Sequence, residues 1–131
     1  MTLNKEDQVV VLYALYRCGG KGRKSRIIYY IAENNLLRPR QGDKNLRQNS
    51  ETVLENDLAW AREDLKRRKY LAMPEHGIWE ITEAGREALF RVAKAIYEQK
   101  TDGSWFERCN DIFIAEMSGL GKRVVENTKP A

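Results

Sequence analysis

The order in which helical and strand-like periodicities follow one another constrains this fold more than any other feature of the sequence. Up to about residue 69, apolar side chains recur every three or four positions, as they do on amphipathic helices. Two short extended runs follow at residues 70–73 and 78–81, with the turn formers Pro74 and Gly77 between them. Helical spacing returns after Thr82. The chain is therefore predicted to be α+β and mostly helical, with one β-hairpin.

Three helices are predicted ahead of the hairpin. Asn4 caps the first helix, and Gly19-Gly20 end it. The second covers about residues 24–35, and a polar loop over residues 38–50 separates it from the third. Ser50 caps this third helix, which reaches about residue 69. Three helices and then a hairpin is the order of a winged helix-turn-helix, in which the third helix enters the DNA major groove and the hairpin, or wing, lies on the backbone.

Two additional helices are predicted after the hairpin. Thr82 caps the first of them, which reaches about residue 100. The second covers residues 105–117, and its apolar stripe either covers the core or pairs with a second copy of the chain. That stripe consists of Trp105, Cys109, Ile112, Phe113 and Met117. The predicted organisation is a winged-helix DNA-binding domain over 1–100, a C-terminal helix over 101–117 and a flexible tail over 118–131, which lacks core-forming periodicity.

Basic residues are concentrated in one part of the chain. Residues 17–50 carry nine Lys or Arg and two acids, whereas all 131 residues together have a net charge of only +4. A strongly basic segment on a nearly neutral body is the footprint of a surface that binds a polyanion. The charge distribution therefore favours a nucleic acid as the partner, against the alternative of charges clustered by chance on a solvated surface.

The candidate DNA contacts lie in the second helix, the polar loop, the third helix and the wing turn. Lys and Arg bind phosphates, and side chains such as that of Asn56 can pair with base edges, adenine in particular. Thr52 and Asn56 are expected on the outer face of the third helix, which Arg62 and Lys66 flank. The full set of candidates is Lys24, Arg26, Arg38, Arg40, Lys44, Arg47, Gln48, Asn49, Thr52, Asn56, Arg62, Lys66 and His76.

The tryptophans and cysteines are predicted to serve the core. Trp60 and Trp79 could stack on bases, but their positions beside the apolar stripe and in the wing strand favour packing. Cys18 and Cys109 match neither a disulfide framework nor a metal-binding motif, so they are expected to be core thiols in a reducing cytoplasm.

Nothing in the sequence indicates a catalytic site. Glu75 together with Glu98 and Lys100 matches the letters of a restriction-type metal site. However, Glu98 and Lys100 would point about 200° apart around a helix. His76 is the single histidine of the chain. We therefore predict no enzyme activity, no cofactor and no metal, and the apolar runs are too short for a membrane span.

Residues 56–85 carry a more specific signal, which extends more weakly over residues 5–90. The chain resembles the N-terminal winged-helix domain of Mrr-type restriction endonucleases, without their nuclease domain. The resemblance implies a winged helix that binds DNA, and also the sensing of modified DNA. It rests on Asn56, Trp60-Ala61, Leu65-Lys66-Arg67, the wing from Gly77 to Thr82, and Glu83-Ala84-Gly85.

These observations predict a double-stranded-DNA-binding winged-helix protein, either a transcriptional regulator or a restriction-associated DNA reader. We expect a cytoplasmic, nucleoid-associated homodimer that has no membrane partner and works with a separate nuclease or methylase. The alternative is a winged helix that lacks DNA affinity and serves as a protein-interaction subunit of a larger complex, which Asp57, Glu63 and Glu75 favour. A third reading is a fragment of a longer nuclease.

Overall fold

The computed structural model describes residues 6–37, 53–99 and 109–128, which form five helices and a three-stranded antiparallel sheet. The predicted α+β class is confirmed, and the order of elements is consistent with a winged helix. The predicted polar loop lies outside the described residues. The elements are α1 (Glu6–Arg17), β1 (Lys21–Arg23), α2 (Lys24–Glu33), α3 (Val53–Arg67), β2 (Leu71–Ala72), β3 (Ile78–Ile81), α4 (Glu83–Tyr97) and α5 (Asp111–Thr128).

α1 is the central helix of the fold. All eight residues from 8 to 15 are buried, because α2, α3, α4 and the sheet pack around it. Tyr13 meets Phe113 of α5 edge to face, with ring centroids 5.4 Å apart, and Tyr16 meets Phe90 of α4 in the same way at 5.5 Å. A helix that is apolar all round is thus explained by its position in the middle of the core.

The sheet has one strand more than the predicted hairpin. β3 lies in the middle, with β2 on one side and β1 on the other. The sequence predicted no strand over residues 21–23, where the structure has β1. Gly19 and Gly20, with φ of +92° and +94°, reverse the chain, and the Gly20 carbonyl then accepts a hydrogen bond of 2.8 Å from Ile81 N–H. This reversal aligns β1 with the free edge of β3.

The cap predicted for the helix after the wing is confirmed. Thr82 Oγ1 accepts a hydrogen bond of 3.0 Å from Gly85 N–H and donates one of 2.7 Å to the Lys69 carbonyl. At Gly85 the helix passes so close to the Tyr70 carbonyl that a Cβ atom would clash with it. The end of α3, the sheet and the start of α4 are therefore held together at one point.

The C-terminal helix differs most from the prediction. α5 begins at Asp111 and continues to Thr128, so the expected tail is wrong for residues 118–128. Phe113, Met117 and Leu120 are buried, whereas Ile112, which was predicted to face inward, is half exposed. α5 runs straight through the glycines at 119 and 121, which disfavour an isolated helix. Trp105 lies outside the described residues.

α5 covers the core of its own chain. Cys109 N–H donates a hydrogen bond of 2.9 Å to Glu6 Oε2, and Asn110 N–H donates one of 3.0 Å to the Leu36 carbonyl. This packing buries most of the apolar stripe, since Cys109, Phe113 and Met117 are almost fully buried. The structure thus shows the core-covering role of the helix, and the homodimer stays a prediction.

Gly121 gives a direct test of the packing between α4 and α5. Its backbone lies against the Ala93 carbonyl, where an added Cβ would clash, whereas Gly119 on the same helix has open space. We expect Gly121→Ala to lower the free energy of unfolding by about 1–3 kcal/mol through overpacking. Gly119→Ala should leave it unchanged or raise it by up to about 1 kcal/mol, since alanine favours helices. Urea unfolding followed by circular dichroism measures both, and equal effects would contradict this packing.

Candidate nucleic-acid interface

The predicted DNA contacts divide into those that the structure describes and those that it does not. The six described candidates are Lys24, Arg26, Asn56, Arg62, Lys66 and His76. The predictions that lie outside the described residues are Arg38, Arg40, Lys44, Arg47, Gln48, Asn49 and Thr52.

The wing turn and the first turn of α2 meet in space. Lys24 N–H donates a hydrogen bond of 3.1 Å to the Gly77 carbonyl, so the turn that carries His76 lies against the start of the helix. His76 and Arg26 are exposed, and Lys24 is half-buried. His76 is therefore brought to the same side of the molecule as Lys24 and Arg26, which lie about fifty residues earlier in the sequence.

An open groove lies beside this junction, between β1 and α2. We call it the basic groove; its lining consists of Lys21, Gly22, Arg23, Ser25, Arg26, Tyr29 and Ile78. Lys21 and Arg23 are alternate residues of a strand, so both side chains project from the same face of the sheet. Both are exposed. The groove therefore has cations on its strand side and on its helix side.

The charges around the basic groove are incompletely neutralised. Lys21 lies opposite Glu80 in the sheet, while Arg23 lies opposite the apolar Ile78. Within residues 6–37, 53–99 and 109–128, neither Arg23 nor Arg26 makes an ion pair. No acid lines the groove in this part of the chain. An anion in the groove would thus meet positive charge without displacing a carboxylate.

Arg17 belongs to the basic segment but has a different role. Its guanidinium hydrogen-bonds to Tyr30, and this bond raises the pKa of Arg17. Burial raises the pKa of the nearby Tyr13 phenol well above its usual range, and a hydrogen bond to Glu116 adds to the effect. These side chains connect α1, α2 and α5, so Arg17 stabilises the packing of helices.

The outer face of α3 contains an exposed tryptophan. Trp60 is 61% exposed, so the prediction that it packs in the core is wrong, whereas Trp79 is 1% exposed as predicted. Leu58 is buried, and a residue two positions later lies about 200° further round a helix. Trp60 therefore points away from the core, on the same side as the half-buried Asn56.

Arg62 does not flank this outer face as predicted. Its Nη1 donates to Met73 Sδ at 2.8 Å, its Nη2 lies 3.1 Å from Glu63 Oε1, and its guanidinium carbon lies 5.7 Å from the centre of the Trp79 ring. Arg62 thus packs between α3 and the wing. Lys66 is exposed as expected.

The second half of α3 is held by an ion pair and a hydrogen bond that both involve Asp64. Arg67 Nη2 lies 2.9 Å from Asp64 Oδ1, and Gln8 Nε2 donates to Asp64 Oδ2 at 3.3 Å. Gln8 is fully buried on α1, so this contact ties the outer surface of α3 to the centre of the fold. The orientation of α3 is therefore fixed by its packing against α1.

One part of the chain matches a known family, and it contains the three helices, the wing and the basic groove. A sequence model of the Mrr N-terminal domain matches residues 8–91. The chain belongs to the Mrr N-terminal domain family. No curated protein and no solved structure matches it.

Membership in the Mrr N-terminal domain family associates the chain with DNA restriction systems and, at family level, with a DNA-binding-related role. The matching region is the N-terminal domain of Mrr proteins and not their nuclease part. It contains the basic groove and α3, whereas α5 lies beyond it. The resemblance stated from residues 56–85 is thereby confirmed over a longer stretch.

The structure adds four residues to the candidate interface of this Mrr N-terminal domain. Lys21 and Arg23 were counted as part of the basic segment, but their pairing as a strand gives them a common face with α2. Tyr29 precedes the buried Ile31 by two positions, and Trp60 follows the buried Leu58 by two. That spacing places both aromatic residues on outer helix faces and could have revealed them.

Other site types find no support among the residues of the three described ranges. They contain no group of three or more His, Cys, Asp or Glu side chains that could hold a metal ion. Both cysteines are free, with Cys18 half-buried and Cys109 buried. No described helix is long and apolar enough to cross a membrane.

Proposed function

We propose that this Mrr N-terminal domain binds double-stranded DNA, as a restriction-associated DNA reader or a transcriptional regulator. The observation that carries the proposal is the basic groove, where Lys21, Arg23 and Arg26 surround one open surface beside the wing turn. The proposal is one of binding without cutting, since the matching family region is not the nuclease part.

The basic groove and α3 have different roles in DNA recognition. The cations of the basic groove contact backbone phosphates, which fixes the position of the duplex but reads no sequence. α3 lies in the major groove, where the carboxamide of Asn56 can form two hydrogen bonds with adenine. The wing turn, with His76 exposed, follows the backbone next to the basic groove.

A salt titration of binding to a random-sequence duplex tests the proposal. Each phosphate contact releases counterions, which contributes about −0.9 to the slope of log affinity against log salt concentration. Three contacts in the basic groove should therefore give a slope of about −3 or steeper. Absence of binding at low salt, or a flat slope, would rule out this function.

Asn56 is expected to affect sequence preference and not general affinity. Asn56→Ala removes the carboxamide that can pair with adenine, so we expect the variant to lose about 1–3 kcal/mol of discrimination at one base position. Lys66→Ala is the matched control on the same helix, because loss of a phosphate contact weakens all duplexes alike. Selection from a randomised duplex pool measures both. An unchanged preference in Asn56→Ala would remove α3 from base recognition.

The second candidate function is protein interaction, and the exposure of Trp60 favours it. Exposed tryptophans are common anchors in protein interfaces, and Arg67, about two turns later on the same helix, is paired with Asp64. In that case the chain would show no salt-dependent affinity for DNA. A separate nuclease or methylase is the partner that membership in a restriction-associated family suggests.

A homodimer would suit a protein that reads symmetric sites. Because α5 packs on the core of its own chain, a dimer interface would have to be formed by the surfaces of α4 and α5 that remain exposed to solvent. Tyr97 and Ile112, both partly exposed, are the large apolar side chains available there among the described residues.

A further inference from the structure

Tyr29 is an exposed aromatic side chain at the junction of two grooves. It lines the basic groove, and it also lines a second groove formed with Lys24, Ser25, Ile28 and Glu55 between α2 and α3. With 65% of its surface exposed, it is the most exposed large apolar side chain among the described residues. Its ring is therefore open to a ligand that enters either groove.

The basic groove joins this ring to positive charge. Ser25, Arg26 and Tyr29 lie on one face of α2, because residues three and four apart are neighbours on a helix. Across the groove, β1 contributes Arg23, and the half-buried Ile78 lies opposite Arg23 in the sheet. One open surface thus offers an aromatic face, an apolar patch and at least two guanidinium groups.

An intact duplex can use only part of this surface. Its phosphates can pair with the guanidinium groups, but its bases are stacked on one another and present only their edges to a protein. An unpaired nucleotide presents both a phosphate and a free base face, and aromatic side chains in cationic grooves bind such bases by stacking. The guanidinium groups and the aromatic ring of the basic groove are therefore suited to bind a single-stranded segment.

We propose that the basic groove binds an unpaired nucleotide next to a duplex, with the base stacked on Tyr29 and the phosphate held by Arg23 and Arg26. The inference rests on the proposed DNA-binding function and specifies the form of DNA preferred. The chain then favours duplexes that carry a single-stranded tail or gap over uninterrupted ones.

Fluorescence anisotropy with labelled DNA tests this inference. The probes are a blunt duplex and the same duplex with a short oligothymidine tail on either strand. Stacking of one base should make the full chain bind one of the tailed probes about tenfold more tightly than the blunt one. Tyr29→Ala should abolish this preference, so that the tailed and blunt probes bind with equal affinity.

Two further variants separate stacking from other causes. Tyr29→Phe retains the ring and removes the hydroxyl. It should keep the preference for the tail, because the base stacks on the ring. The preference would be lost if the contact were a hydrogen bond from the hydroxyl to a phosphate. Tyr97→Ala removes another exposed tyrosine, on α4 beside Gly121 of α5 and outside the groove lining, and should leave the preference for the tailed probe unchanged. Circular dichroism confirms that each variant is folded.

The outcomes distinguish this inference from the proposed function. Salt-dependent binding of the blunt duplex without any preference for a tail overturns the inference and leaves the proposed function standing. Loss of the preference in Tyr29→Phe also overturns it, because the hydroxyl would then be the contact. Binding of tailed probes alone, with Tyr29 required, supports the basic groove as a single-strand site and refutes the proposed duplex function.

Discussion

Trp79→Ala is expected to lower the free energy of unfolding by about 3–5 kcal/mol, whereas Trp60→Ala should change it by less than about 0.5 kcal/mol. Both substitutions remove the same atoms, so the difference reflects the surroundings of the two rings. Trp79 is 1% exposed in β3, and Trp60 is 61% exposed on α3. Each tryptophan serves as the control for the other.

The environment of Trp79 explains the size of the expected loss. Its ring lies under the Arg62 guanidinium, and the Nε atom of that side chain is buried without a hydrogen-bond partner among the described residues. Truncation of Trp79 creates a cavity and also removes the aromatic face that contacts this cation. Arg62 would then keep Met73 and Glu63 as its contacts.

Urea unfolding followed by far-ultraviolet circular dichroism is the appropriate measurement, since tryptophan fluorescence is altered by the substitutions themselves. The midpoint of unfolding should shift strongly for Trp79→Ala and hardly at all for Trp60→Ala. A large loss for Trp60→Ala would mean that the outer face of α3 is covered in solution, by a second copy of the chain or another surface.

Simultaneous replacement of Lys21, Arg23 and Arg26 by alanine is expected to weaken binding to a random-sequence duplex by about a hundredfold or more at low salt. It should also flatten the slope of log affinity against log salt by about 3, because three phosphate contacts no longer release counterions. All three side chains are exposed, so the fold should tolerate the change.

A charge-matched variant controls for long-range electrostatics. Arg91, Lys94 and Lys122 are exposed on α4 and α5, and their replacement by alanine removes the same net charge from another part of the surface. This control should bind the duplex with nearly the same slope of log affinity against log salt as the wild-type protein. If both variants lose affinity equally, the protein attracts DNA by its net charge and the basic groove is not the binding site.

The helices before the wing and the hairpin itself could be predicted because their signals are local. Periodic apolar residues, the Thr82 cap and the Pro74–Gly77 turn depend only on near neighbours in the chain. β1 has no such signal, since a glycine between two basic residues shows no alternation of apolar side chains. It is a strand because the free edge of β3 offers hydrogen-bonding partners to it.

α5 shows the opposite error, in which a local signal was misleading. The segment after residue 117 lacks core-forming periodicity, and the sequence therefore predicted a tail. The helix continues because Leu120 is buried and Gly121 permits close approach to the Ala93 carbonyl of α4. A residue that disfavours an isolated helix is here the one that allows two helices to pack.

The sequence by itself determined the α+β class, the order of three helices and a hairpin, the membership in the Mrr N-terminal domain family and the concentration of basic residues. Only the tertiary structure decided which of those residues share a surface. Arg17 is used in helix packing with Tyr30, while Arg23 and Arg26 line one groove with Tyr29. The physical reason is that periodicity depends on the geometry of neighbouring residues, whereas a binding surface depends on which distant elements come into contact.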